Sequence, residues 1–161
     1  ICGTNISSNL KSKEDYFFAT SFNVWGWATW KRAWKKYDLD MKLWPRFKKE
    51  GLMRNFSESV IHTFFNKKGM DKVYSKKVNT WDYQWAFSCM VNNSVSIIPR
   101  LNLITNIGFD GTGTHTLGGV NHLQLKRNEL PFPIKENLEF LQDQKDKIQK
   151  IKTGIFQFRF F

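Results

Sequence analysis

Residues 17–30 read "FFATSFNVWGWATW": an apolar run, a turn containing Gly26, then the start of a helix. From Trp27 onward Trp30, Trp34, Tyr37, Met41 and Trp44 recur at spacings of three and four residues. That period predicts an amphipathic helix, with Lys31, Arg32, Lys35 and Lys36 on its other faces. Pro45 breaks or restarts it, because proline lacks the amide hydrogen an interior turn requires. A packed core explains the later aromatics of the stripe. It explains Trp25, Gly26 and Trp27 less well, since they sit at the turn itself.

Working outward, residues 52–68 predict a second helix carrying Leu52, Phe56, Val60 and Phe64, with Gly69 as its C-terminal cap. Asn79 or Thr80 caps a third helix over 80–92. "VSIIP" (95–99) is a short strand and 101–109 is extended and largely apolar. Residues 110–119 form a Gly/Thr loop, 135–152 a last helix, and "FQFRFF" (156–161) an alternating tail.

The 161 residues suffice for one compact domain, and 41% hydrophobic residues exclude a disordered chain. Aromatics reach 16%, with 7 Trp and 15 Phe, enough to fill a core or line a site for ring-shaped ligands. The formal charge is +11, and residues 31–77 hold 14 Lys/Arg against 5 Asp/Glu. A polyanion, an anionic membrane surface or a phosphorylated substrate fits that surplus, and so does plain composition. Cys2 and Cys89 lack metal spacing and read as free thiols. The N-x-S/T matches at Asn5, Asn55 and Asn92 are those chance gives an Asn-rich chain.

The strongest chemical signal is "VNTWDYQWAF" (78–87), where Asp82 lies among Trp81, Tyr83 and Trp85. In the first helical turn a carboxylate is favoured by the unpaired amides and the dipole, which is the ordinary structural reading. A ring-lined wall adds a second reading, since sugars stack their C–H faces on aromatic rings while a carboxylate accepts hydroxyl protons. A dry wall raises a carboxylate pKa and a helix end lowers it, the balance that tunes a general base. "DLD" (38–40) matches an acidic metal motif but sits between Tyr37 and Met41 of the helical stripe, so it reads as a solvated helix face. His115, in "GTGTHT", could ligate a metal or touch a phosphate, or lie in a plain surface loop. His62 and His122 lack such company.

Together "WGWATWKRAW", "YDLDMKLWP", "NTWDYQWAF", "IIPRLNLITNIGF" and "THT" resemble the C-terminal half of a bacterial family 2-type glycosyltransferase. Such nucleotide-diphospho-sugar transferases have the GT-A fold, and some relatives carry a haemolysin-like label. The resemblance covers most of residues 1–130. It implies an α/β fold, a mixed sheet flanked by helices that is the C-terminal portion of a Rossmann-like fold, with "ICGTN" (1–5) as the strand after the family's metal motif; the acceptor-side part would then span 1–130, with a helix and an aromatic tail over 131–161. On that reading the N-terminal nucleotide-binding strands are lacking.

The resemblance further implies inverting transfer from a nucleotide-sugar donor to a glycan or lipid-linked acceptor. Asp82 would be the catalytic base, and Trp25, Gly26, Trp27, Trp81, Tyr83 and Trp85 the acceptor site. His115 would complete a metal or diphosphate site holding Mg or Mn. The implied location is the cytoplasm, at the inner face of the membrane. The alternative class is a non-catalytic basic, aromatic module on an anionic membrane or polyanion, supported by the 31–77 charges and the terminal "FQFRFF". A nucleic-acid binder fits worse, because the aromatics follow helical stripes and no RNA-binding motif occurs.

Overall fold

The computed structural model describes residues 1–6, 14–56, 59–110, 125–130 and 132–134. The expected Gly/Thr loop with His115, the last helix and the aromatic tail lie outside the described residues, as does nearly all of the 131–161 segment. What is described is mixed α/β: a two-stranded antiparallel sheet and four α-helices. Strand β1 (Tyr16–Ala19) pairs with β2 (Ser96–Pro99), Phe17 opposite Ile98 and Phe18 opposite Ile97. The pairing closes a loop of about eighty residues, so an aromatic run in β1 and the isoleucine pair of β2 had to find each other across the whole helical region.

The first residues are extended as expected, but they form a single bridge, Cys2 to Trp27, rather than a regular strand. They run between two segments. The Cys2 amide donates to Ile97 O at 2.9 Å and the Gly3 amide to Gly26 O at 2.7 Å, while Leu103 donates to Gly3 O at 3.0 Å. Residues 102–106, expected to be extended, are irregular, and a 3-10 turn follows over Ile107–Asp110. Two asparagines take the place of a ladder there. Asn5 Nδ2 donates to Pro99 O at 3.0 Å and Arg100 O at 2.7 Å, and the Asn5 amide donates to Asn102 Oδ1. Buried backbone groups must find partners, and these side chains supply them.

The predicted single helix through the Trp stripe is instead two short helices, α1 (Lys31–Trp34) and α2 (Trp44–Lys49). The cause is Asp38. Its Oδ1 accepts from the Asp40 amide at 3.1 Å and its Oδ2 from the Lys42 amide at 2.8 Å. That side-chain-to-backbone pairing competes with a helical ladder, and Met41 adopts a left-handed φ of 49°. "DLD" is therefore a turn and not a helix face. Pro45 starts α2 rather than breaking a helix, as its fixed φ allows in a first turn.

The second predicted helix is also displaced. Residues Leu52–Phe56 form a 3-10 turn, and α3 runs over Val60–Tyr74, capped by Ser59, whose Oγ accepts from the His62 amide. Gly69 lies inside α3, not at its end. A Cβ there would stand 2.5 Å from Cε1 of Tyr83, so glycine leaves room for the Tyr83 ring of α4 (Asp82–Val91) against α3. The core lies between α2, α3 and α4: Met41, Trp44, Phe47, Met53, Met70, Val73, Phe87 and Met90. Phe87 meets the rings of Trp44 and Phe47 edge-on at 5.6 and 5.4 Å, the arrangement the ring quadrupoles favour. The fully buried Trp44 indole donates to Asp71 at 3.0 Å, and Lys48 pairs with the same carboxylate oxygen at 2.7 Å.

Candidate functional site

Asp82 is the first residue of α4, as its sequence context suggested, with Trp81 rather than Asn79 or Thr80 in the N-cap position. Its Oδ1 accepts from the Thr80 hydroxyl and, at 2.9 Å, from the Tyr83 amide. Thr80 thus serves the carboxylate instead of the helix end. The half-buried Asp82 borders an open cleft of about 550 Å³ between the 20–25 segment, α3 and the start of α4. Trp25, Asn23, His62, Asn66 and Tyr83 share that cleft.

Five of the six expected acceptor residues separate into two groups. Trp25 and Tyr83 line the cleft with Asp82. Trp27, Trp81 and Trp85 form a ring cluster beside it: Trp27 stacks on Trp81 at 5.3 Å and tilts against Trp85 at 5.5 Å. Trp85 is buried, so its place is inside the cluster and not on its surface, whereas Trp81 is 42% exposed. Gly26 is a backbone device. It holds φ at 57°, and a Cβ would meet Ile104 Cγ2 at 2.5 Å. The left-handed turn lets Trp25 and Trp27 point to the two different groups.

Two residues assigned to the helical stripe also belong to the cluster. Trp34 lies 5.3 Å from Trp85 and stacks on Tyr37 at 4.8 Å with 6° between the planes. Tyr37 donates its hydroxyl to Trp81 O at 3.4 Å. Burial pushes the Tyr37 phenol up, and the negative charge of Asp82 raises it further, so it stays a neutral donor beside that carboxylate. His62 shares the cleft with Asp82 although its sequence neighbours give no sign of it. Only the packing of α3 on α4 brings the two to one place.

Among the described residues no group of three or more His, Cys, Asp and Glu is placed to hold a metal ion. Asp38 of the "DLD" match uses both carboxylate oxygens to accept from backbone amides. His115, which the resemblance assigns to a metal or diphosphate site, lies outside the described residues. Among the described residues no helix is long and apolar enough to cross a membrane. No protein-family model, curated protein or solved structure matches the chain.

Proposed function

We propose that this chain forms the acceptor-side part of an inverting glycosyltransferase of GT-A type, with Asp82 as its general base. The observation that carries the reading is the seating of that carboxylate. It is fixed through Oδ1 by Thr80 and Tyr83 at the edge of a cleft bordered by Trp25 and Tyr83. Neither contact uses Oδ2, the oxygen to which we assign the proton. As an acceptor hydroxyl attacks the anomeric carbon of a nucleotide-sugar, Asp82 takes its proton. The bond to the nucleoside diphosphate breaks, and the sugar is transferred with inversion. The aromatic faces of Trp25, and of Trp81 stacked on Trp27, suit the apolar face of a sugar acceptor. A glycan or lipid-linked acceptor at the inner face of the membrane belongs to the same proposal.

The class is tested by measuring nucleoside diphosphate released by the complete natural protein from a panel of nucleotide-sugars. Release that requires both a donor and a hydroxyl acceptor is expected. No release from any donor under any acceptor would leave the rival class, a binding module without chemistry, which the outer face of α3 favours independently.

A further inference from the structure

Helix α3 is built the wrong way round for a helix that only serves a core. An amphipathic surface helix turns its apolar stripe inward. In α3 the buried side chains are Met70 and Val73, both in the C-terminal half. The N-terminal half turns its large apolar residues outward: Val60 is 85% exposed, Ile61 66%, Phe64 51% and Phe65 63%. Spaced at i, i+1, i+4 and i+5, these four lie on one face, and Lys68 and Lys72 continue that face toward the C-terminus. Contiguous exposed apolar surface of this kind marks an interaction site.

The charges around the face are one-sided. The first turn of α3 has no acidic residue, and Lys67, Lys68 and Lys72 are all exposed. The helix's one carboxylate, Asp71, is engaged by Lys48 and the Trp44 indole. Lys68 Nζ lies 4.5 Å above the Phe64 ring, so a cation sits directly against the apolar face. A helix with aromatic and aliphatic side chains on one face, bordered by lysines, is matched by a bilayer interface. The apolar groups enter the acyl boundary and the ammonium groups meet anionic headgroups.

We propose that the outer face of α3, centred on Phe64 and Phe65, docks on an anionic lipid bilayer. The proposal stands whether or not Asp82 is a base. It differs from a docking tail at the chain end, because it places the contact on an ordered helix. Phe65 and His62 also line the Asp82 cleft, so docking would bring the cleft mouth to the headgroup layer.

Co-sedimentation with phosphatidylserine–phosphatidylcholine vesicles tests it. The protein should pellet with these vesicles, and much less with vesicles of phosphatidylcholine alone. Phe64→Ser with Phe65→Ser should lower the partition coefficient by about tenfold or more per site. Lys67→Gln with Lys68→Gln, which keeps the apolar face, should lower it about fivefold per lysine, with the loss reproduced by added salt. All four side chains are exposed, so the fold should survive, as circular dichroism will report. Failure of the wild type to pellet with anionic vesicles would overturn the proposal, as would pelleting unchanged by the Phe pair. A concentration-dependent dimer that the Phe pair abolishes, without vesicle binding, would give the face to a second copy of the chain instead.

Discussion

The ring of Tyr83 rests on the backbone of Gly69, so closely that an added Cβ would stand 2.5 Å from Cε1 and 2.9 Å from the hydroxyl. This contact packs α4 against α3 one residue on from Asp82, and Tyr83 also lines the cleft that Asp82 borders.

Gly69→Ala tests the contact. In an ordinary helix interior the change gains about 0.5–1 kcal/mol. Here overpacking against Tyr83 should reverse the sign and cost about 1–3 kcal/mol in urea unfolding. In a Tyr83→Ala background the same substitution should return to a gain, and that sign change across the double-mutant cycle is the diagnostic result.

Gly26 makes a second, separable prediction. Alanine there meets a left-handed φ, at about 1–2 kcal/mol, and also the Ile104 side chain. Asparagine tolerates the φ but carries the same Cβ. Both Gly26→Ala and Gly26→Asn should lower stability by similar amounts if the Ile104 approach dominates. A clearly milder Gly26→Asn would assign the loss to backbone conformation alone.

Cys89 supplies a pH dependence. Burial pushes its thiol up from the ordinary value of 9.0 to about 12, with a Ser94 hydrogen bond opposing. A raised folded-state pKa favours the protonated form. Its contribution is full below the unfolded thiol's pKa and is lost as pH rises from about 9 toward 12. Stability should fall over that alkaline window, and Cys89→Ala should flatten the fall. Iodoacetamide near pH 8 should spare Cys89 in the folded protein and modify it in urea.

The elements that could be read from the sequence are those whose ends carry their own signals. Strand β2 is bounded by turn residues and Pro99, and α4 begins within two residues of its expected start. The Trp stripe misled because spacings of three and four fit one long helix or two short ones. The Asp38 carboxylate, which satisfies two amides in a turn, decided between them. Gly69 misled for the opposite reason: its small size serves Tyr83, fourteen residues on, rather than a helix end. At the site, Asp82 and its aromatic neighbours were legible as a local cluster. The division of those rings into a cleft wall and a stacked cluster was not, because Trp27 and Trp34 reach Trp85 only through tertiary packing. His62 was illegible for the same reason.

The Asp82 carboxylate is proposed to take a proton, beyond any part it plays at the helix end. The direct measurement is acceptor-dependent release of nucleoside diphosphate by the complete natural protein and its Asp82→Asn variant, with unfolding followed in parallel. Asparagine keeps an oxygen to accept from Thr80 and the Tyr83 amide but is no base. Turnover should fall by about 10²–10⁴-fold, with the unfolding midpoint nearly unchanged. Turnover close to that of the wild type, or a loss matched by unfolding, would contradict it and leave Asp82 as a helix-end carboxylate.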